Sequence, residues 1–366
     1  MTTGGDDRDP VARKLVIGAS GFLGSHVTRR LVEKGEHVRV MVRETSSLRA
    51  LEDLDVEVVT GNIEDAESLR SAMRGCDTVY YCVVDARPWL RDPAPLFHTN
   101  VTSLNTVLEV ALEAGLRRFV FTSSVTTLPI GDGVLDEAAG PHNWTRAGGA
   151  YVQSRVRAEE LVLRYARERG LPAVAMCVAN TYGAGDYLPT PHGAFIAMAA
   201  RGKIPYYFRD VGAEVVGIRD AAEALVLAGE RGRVGERYIV SAGFRSTHEL
   251  LEIAASVTGA APPKYGIPRA VLPVAGILGE LVARIRGRDS RITRETMRLM
   301  HIMTPLDHRK AERDLGWQPR PIENAIREAA LFFTTRRRGG GTTAETLGRP
   351  ASTEHETGPR DGNDRS

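Results

Sequence analysis

The chain has 366 residues, of which 42% are hydrophobic and 26% charged, a composition typical of globular proteins. Its 48 basic and 46 acidic side chains leave a formal net charge of +2, so overall charge indicates neither a nucleic acid nor an anionic membrane as a partner. The 3 cysteines include no C-x-x-C pair, and we predict no metal site. The polar N-terminus MTTGGDDRDPVARK lacks the apolar core of a signal peptide, so we expect a cytoplasmic protein.

Strand and helix patterns alternate from residue 13 to residue 180. Apolar segments that predict strands are separated by segments with helical periodicity; in chain order the strands are KLVIGA, HVRVMV, VEVVT, DTVYYCVV, RRFVFTSS and PAVAMCV. Alternation at this spacing indicates a parallel sheet covered by helices on both faces. We therefore predict an α/β fold with a doubly wound, Rossmann-type sheet over residues 13–180, to which residues 214–242 return.

The pattern changes after residue 180, where TYGAGDYLPTPHGA is rich in turn-forming residues. Ser246, followed three residues later by Glu249, predicts a capped helix over STHELLEIAASVTG. We predict that residues 181–213 and 243–335 form a smaller, mostly helical lobe that binds substrate over the carboxyl ends of the strands.

Three further segments bear on the domain boundaries. AVLPVAGILGELVARI, residues 270–285, is apolar but shorter than the ~20 residues of a spanning helix, so we expect a packed helix and no membrane insertion. A role of this helix at a membrane surface stays open as a minor alternative. Residues 1–12 and 336–366 are polar, and we predict that both tails are disordered.

A glycine-rich loop follows the first predicted strand. Gly18, Gly21 and Gly24 in VIGASGFLGSHV lie between this strand and an amphipathic helix. Glycine allows a tight turn and lets backbone N–H groups approach a pyrophosphate, which the positive end of the helix also favours. The placement predicts a dinucleotide site; a tight turn without a ligand is the alternative.

The end of the second predicted strand bears on the choice of dinucleotide. An NAD site usually has an acidic residue there, whereas this strand ends in Val42 and Arg43. A guanidinium suits the 2′-phosphate of NADP, so we predict NADP as the cofactor and consider NAD the weaker alternative. Glu44 could act as the missing acid, or Arg43 could be a solvated loop residue.

These motifs resemble the extended short-chain dehydrogenase/reductase superfamily, an NAD-dependent epimerase/dehydratase fold, over residues 14 to about 335. VRVMVRETSSLRALEDLDVEVVTGNIED, RRFVFTSSVTTL and GERYIV are most similar to its dihydroflavonol 4-reductase-like group, which includes bacterial hopanoid-associated sugar epimerase-like proteins. The resemblance implies that Ser124 hydrogen-bonds the reacting oxygen, that Tyr151 is the acid/base, and that Asn100 holds the active-site helix and a proton-relay water. It also implies a homodimer as a possible assembly, a small-molecule substrate and no nucleic acid.

The resemblance also implies a cofactor-binding set spread along the chain. Its members are Gly18, Ser20, Gly21, Phe22, Leu23, Gly24, Arg43, Asn62, Ile63, Val83, Tyr151, Arg155 and Val178.

One departure lies in the predicted active site. Hydride transfer to a ketone leaves an alkoxide that needs a nearby proton donor, and a phenol of pKa about 10 serves better when a cation stabilises the phenolate. The family has lysine four residues after the tyrosine, whereas this chain has Arg155. Arginine keeps the charge but is planar and bulkier.

Other departures surround the same pocket and suggest that the cofactor geometry or the reaction has changed. Asn62 replaces an aspartate, Val178 a proline and Gly217 a histidine, and Cys82, Val83 and Val84 replace small residues.

The main hypothesis is an NADP-dependent oxidoreductase that interconverts a ketone and an alcohol on a small organic, possibly natural-product-like, molecule. A sugar-nucleotide epimerase or dehydratase, a non-redox isomerase or cyclase, and a catalytically silent dinucleotide sensor are the alternatives. Additional acid/base candidates are His98, His142, His192 and Asp85, although a lone histidine is more often structural.

Overall fold

The computed structural model describes residues 13–300 and 304–335; the tails predicted to be disordered lie outside these residues. The strands are β1 (Arg13–Ile17), β2 (Val38–Val42), β3 (Glu57–Thr60), β4 (Cys76–Tyr81), β5 (Arg118–Ser124), β6 (Ala173–Val178), β7 (Asn180–Tyr182), β8 (Tyr206–Phe208), β9 (Gly212–Gly217), β10 (Arg237–Val240), β11 (Phe244–Ser246) and β12 (Tyr265–Ile267). The α-helices are α1 (Phe22–Glu33), α2 (Ala66–Met73), α3 (Ala94–Phe97), α4 (Ser103–Glu113), α5 (Gly149–Arg169), α6 (Pro191–Ala199), α7 (Ile218–Arg231), α8 (Thr247–Thr258), α9 (Val271–Arg286), α10 (Arg294–Leu299), α11 (Arg309–Leu315) and α12 (Ile322–Thr335).

The main sheet has seven strands in the order β10-β6-β5-β4-β1-β2-β3, and every pairing in it is parallel. All six residues of β6 are buried, as expected for a strand covered on both faces. One face packs against α1, α7 and α11, and the other against α2, α4 and α5. The predicted doubly wound α/β fold is confirmed.

The order of the strands reverses between β1 and β4, which lie side by side although β2 and β3 separate them along the chain. Loops diverge at the carboxyl ends of such a pair and leave a crevice, which is where open α/β sheets bind their ligands. The predicted glycine loop follows β1 at this edge, so the fold positions it at the crevice.

A second layer of structure forms beyond the carboxyl edge of the main sheet. A small sheet has the order β11-β9-β7, and α6, α8 and α12 share a separate apolar core with it. Residues 214–242, which were predicted to return to the main sheet, divide between the two sheets. Strand β9 pairs with β7 in the small sheet, whereas β10 extends the main sheet beside β6. The predicted Ser246 cap is present, with the Ser246 hydroxyl accepting the backbone N–H of Glu249 at 3.2 Å.

Helix α9 covers the apolar segment at 270–285, and its packing differs from the expectation. Leu272, Gly276 and Ala283 are buried, but Leu278 is 57% and Ile285 76% exposed. The expectation of a packed helix is thus wrong for the outward face, because only one side of α9 meets the rest of the fold. No helix among the described residues combines the length and apolarity needed to cross a membrane.

Candidate active site

The glycine loop turns directly after β1 and leaves no room for side chains at two of its positions. Gly18 has φ of +87°, and a β-carbon there would lie 3.0 Å from the Val83 side chain. A β-carbon at Gly24 would lie 2.2 Å from the Gly18 carbonyl oxygen. These two glycines are therefore needed for the loop to close against α1 and the end of β4.

Gly21 differs because it stands at the start of α1 and is exposed. A β-carbon there would lie 3.3 Å from the nearest atom, the Gly18 carbonyl oxygen, and φ is an ordinary −80°. No side chain caps α1. The N–H groups of its first residues, including the half-exposed Phe22 and Leu23, are therefore available to an anion. A glycine-lined cradle with free helical N–H groups fits the pyrophosphate of a dinucleotide.

The other predicted cofactor residues follow neighbouring strands at the same edge of the sheet. They are Ser20 after β1, Arg43 after β2, Asn62 and Ile63 after β3, Val83 after β4 and Val178 at the end of β6. Arg43 is exposed; its backbone N–H donates to the Ser46 hydroxyl at 3.2 Å, and its carbonyl accepts the Ser46 N–H at 2.9 Å. The structure thus brings the predicted set into one row, from β3 on one side to β6 on the other.

Ser124 ends β5, and its hydroxyl is oriented by Thr126. The Ser124 oxygen accepts the backbone N–H of Thr126 at 3.2 Å and its hydroxyl at 2.9 Å. Because both accepting positions are filled, the Ser124 proton is free to be donated to a substrate oxygen. His142 fixes Thr126 in turn, since its Nε2 donates to the Thr126 carbonyl at 3.1 Å in the neutral tautomer.

His142 is therefore a structural neighbour of the site. Its Nδ1 is 2.7 Å from the Thr145 hydroxyl, and its ring stacks on Trp144 at 5.2 Å. Burial lowers the pKa of this imidazole, which keeps it neutral.

Tyr151 lies in the first turn of α5, and a carboxylate from α10 caps this turn. Glu295 of α10 accepts the backbone N–H of Tyr151 at 3.1 Å and also that of Ala150. A side chain at Gly149 would overlap this carboxylate, so the glycine before Tyr151 makes the contact possible. Burial raises the pKa of Glu295. The position of Tyr151 thus depends on a residue 144 positions away in the sequence.

Asn100 lies in a π-helical turn, His98–Thr102, and links two parts of the site. Its amide group donates to the Asp85 carbonyl at 2.9 Å and to the Ser154 hydroxyl at 3.0 Å, and it accepts the Asp85 N–H at 2.8 Å. Ser154 donates to the Tyr151 carbonyl at 2.8 Å. Asn100 therefore ties the loop after β4 to the first turns of α5, as a holding role requires.

Arg155 is 1% exposed and lies between α5 and the sheet. Its guanidinium donates to the Thr122 carbonyl and lies over the Phe121 ring at 5.2 Å. Its Nε has no hydrogen-bond partner among the described residues, and no hydrogen bond there joins the guanidinium to the Tyr151 hydroxyl. The positive charge is thus retained beneath the active-site helix, but it is anchored to β5.

The remaining acid/base candidates lie in ion pairs or in the interior of the fold. His98 pairs with Glu64 at 3.0 Å on the surface, and Asp85 pairs with Arg87 at 2.6 Å. His192 packs edge-on against Tyr182 at 5.3 Å, and burial lowers its pKa to about 4. His98 and Asp85 are thus held in ion pairs, whereas His192 is kept neutral by burial and its Nε2 has no partner among the described residues.

Sequence reasoning missed two carboxylates that build the site. Glu159 is 4% exposed and accepts hydrogen bonds from Ser123, from the Thr127 hydroxyl at 2.8 Å and from Cys177 at 3.3 Å, so it fixes the end of β5 around Ser124. It lies four residues after Arg155 on the same helical face, which could have indicated an inward position. Glu295 carries no local signal, because its partner is distant in the chain.

Comparison with known proteins decides the family. The sequence profile described as "NAD dependent epimerase/dehydratase family" matches residues 14–241, more than half of the chain. The chain belongs to this family. It has the extended short-chain dehydrogenase/reductase architecture that its motifs predicted, and it is an NAD(P)-dependent enzyme.

Named relatives of this family member include reductases. A protein of Synechocystis sp. (strain ATCC 27184 / PCC 6803 / Kazusa) whose name refers to dihydroflavonol 4-reductase is 29% identical over 87% of this chain and 94% of its own length. The 4-hydroxy-2-methyl-3-oxo-4-farnesyl-3,4-dihydroquinoline-1-oxide ketoreductase of Stigmatella aurantiaca is 27% identical over 87% and 96%. The crystal structure of gox2253 is 33% identical, covers 89% of this chain and 98% of that one, and superposes with a TM-score of 0.78.

Proposed function

We propose that this enzyme is an NADP-dependent reductase that interconverts a ketone and an alcohol on a small organic substrate. The observation that carries the proposal is the Ser124 hydroxyl, whose two accepting positions are filled by Thr126, so that its proton is left for a substrate oxygen. This hydroxyl lies at the same edge of the sheet as the glycine cradle, and the adjoining helix α5 carries Tyr151.

The chain's own residues supply the polar part of such a reaction. When bound, the nicotinamide cofactor provides the hydride that adds to the carbonyl carbon. Ser124 donates a hydrogen bond to the carbonyl oxygen and stabilises the charge that develops there. Tyr151 then gives its proton to that oxygen, completing the alcohol, and the Arg155 charge favours the phenolate that remains.

Arg43 supports NADP over NAD. The end of β2 presents an exposed guanidinium where an NAD site has a carboxylate, and a guanidinium can bind a phosphate with two parallel hydrogen bonds. Glu44 beside it is exposed and lies past the end of the strand.

The names of two relatives support a class of substrate. One name refers to reduction of a dihydroflavonol and the other to a ketoreductase acting on a 3-oxo-dihydroquinoline oxide. Both names describe polycyclic molecules with a ring ketone. These names support a large, partly aromatic or polycyclic ketone as the substrate of this chain.

The test combines nucleotide binding with turnover. We expect calorimetry to show NADPH binding at least about tenfold tighter than NADH, a difference of about 1.4 kcal/mol. Arg43→Gln should remove this preference, whereas Arg167→Gln, the same change at an exposed position on α5, should leave it intact. Tyr151→Phe should retain NADPH binding and lower kcat on a panel of ring ketones by roughly 10²–10⁴.

Three outcomes would count against the proposal. Absence of binding to either nucleotide would remove the function, and tighter binding of NADH would remove the assignment of NADP. Cofactor that stays bound while a substrate is isomerised without net nucleotide consumption would favour an epimerase or another non-redox enzyme.

A further inference from the structure

The outward face of α9 exposes a continuous apolar surface. Its side chains are between 43% and 76% exposed, and they are Val274, Ile277, Leu278, Leu281, Val282 and Ile285. Their spacing of three and four residues places them side by side along the helix. Single exposed aliphatic side chains are common, but a stripe of this length on one helix indicates an interaction surface.

This outward face lies opposite the side that packs on the fold. A β-carbon at Gly276 would lie 2.7 Å from the Arg294 Cα, and one at Gly279 would lie 2.0 Å from the Ile292 carbonyl oxygen, so α9 contacts the segment before α10 closely. At about 100° per residue, Leu281 and Ile285 point away from that contact. A helix that is apolar on both sides needs a second covering surface.

The two tails outside the described residues are poorly suited to cover this face. Residues 336–366 contain one leucine and no other large aliphatic or aromatic residue, and residues 1–12 are mainly polar. Neither segment carries the apolar side chains that burial of the outward face requires.

Arginines border the outward face. Arg284 follows Leu281 by three residues on the same side of α9, and the exposed Arg286, Arg288 and Arg291 follow towards and beyond the end of the helix. Arg291 lies over the Trp89 ring at 5.2 Å.

The acidic residues in this region already have partners. Glu280 binds Arg294 at 2.9 Å, and Asp289 accepts the backbone N–H of Arg91 at 3.2 Å. The border of the outward face therefore carries a net positive charge.

We propose that the outward face of α9 docks on the surface of an anionic lipid bilayer. An aliphatic stripe with arginines at its border, next to a tryptophan, suits insertion at the level of the headgroups. A second copy suits it less, because a two-fold contact through this helix would bring like-charged arginines together. Docking would be peripheral, and it does not depend on the reaction proposed above.

Vesicle flotation tests this proposal with the full chain. We expect binding to vesicles of phosphatidylcholine mixed with phosphatidylglycerol and little binding to phosphatidylcholine alone, with added salt weakening the interaction. Leu281→Ser with Ile285→Ser should reduce binding at least about tenfold. Val234→Ser with Leu331→Ser, at 51% and 49% exposure elsewhere, is the matched control and should bind as the wild type does.

A second double variant keeps the test valid if Leu281→Ser with Ile285→Ser unfolds the protein. Arg286→Gln with Arg288→Gln should weaken binding about 30-fold, at about 1 kcal/mol for each arginine near the surface. Lack of wild-type binding to the anionic vesicles would overturn the proposal, as would equal binding to both vesicle types. A dimer that the α9 variants convert to a monomer would also overturn it, because the face would then be a contact between copies.

Discussion

Arg155 places a positive charge where the family resemblance predicts a lysine, and its guanidinium is held in a fixed position. The guanidinium is held by the Thr122 carbonyl and the Phe121 ring, both on β5, and this anchoring uses the planar shape and the multiple donors that lysine lacks. Its contribution to the site is therefore a fixed positive charge under α5. Its buried Nε has no hydrogen-bond partner within the described residues.

Substitutions at Arg155 separate the effect of charge from that of shape. We expect Arg155→Lys to retain kcat within about tenfold because the ammonium preserves the charge, and Arg155→Met to lower kcat by about 10². Both changes should destabilise the fold by roughly 1–3 kcal/mol, because the buried Thr122 carbonyl loses or weakens its partner. Stopped-flow NADPH oxidation and urea unfolding measure the two effects. Equal kcat in both variants would show that the charge is not used.

At the scale of elements, α5 and α10 are coupled at the point where the tyrosine lies. Glu295 places a carboxylate at the positive end of α5, and the same α10 segment packs on the glycines of α9. The first turn of α5 is therefore held by α10 as well as by the sheet.

Removal of the Glu295 carboxylate should affect the position of Tyr151 more than the stability of the fold. We expect Glu295→Ala to destabilise the protein by about 1 kcal/mol, as loss of a helix cap does, and to lower kcat while the NADPH dissociation constant changes little. Glu168→Ala, an exposed change at the other end of α5, provides the control. Identical kcat in the two variants would exclude a positioning role for Glu295.

At the scale of the whole molecule, two buried histidines lie near β7, one joining α1 to the segment after this strand and the other packing on the strand itself. His26 of α1 bonds the Ala184 carbonyl at 3.0 Å, and His192 of α6 packs on Tyr182. Burial lowers the pKa of each imidazole from 6.5 to about 4. Both are therefore neutral in the folded protein at neutral pH.

Stability should consequently fall on acidification. The unfolded chain binds these two protons below pH about 6.5, whereas the folded chain binds them only near pH 4. The free energy of unfolding therefore has its full value above pH 6.5 and decreases as the pH falls from 6.5 to 4. We expect a loss of about 1–3 kcal/mol for each imidazole. His26→Gln, which keeps a donor for Ala184, should flatten the pH dependence seen by urea unfolding. An unchanged slope would contradict this account.

Much of the fold was predictable because its signals are local. The buried strands are continuous apolar segments, and two of the three glycines in the loop meet a backbone constraint: Gly18 has positive φ, and a β-carbon at Gly18 or Gly24 would lie too close to neighbouring atoms. The roles of His98 and Asp85 could not be predicted in this way. The partner of His98, Glu64, is distant in the chain, and the ion pair of Asp85 with Arg87 depends on the geometry of a loop.

The sequence by itself determined the alternation of strands and helices and the glycine loop, since each depends on neighbours within a few positions, and it offered Ser124 and Tyr151 as acid/base candidates. Tertiary structure alone decided that Arg155 is anchored to β5, that Glu295 caps the helix of Tyr151, and that α9 turns an apolar face outward with arginines at its border. The physical reason is that burial and pairing are properties of surfaces brought together by folding. An overall charge of +2 cannot report how arginines are grouped on one face.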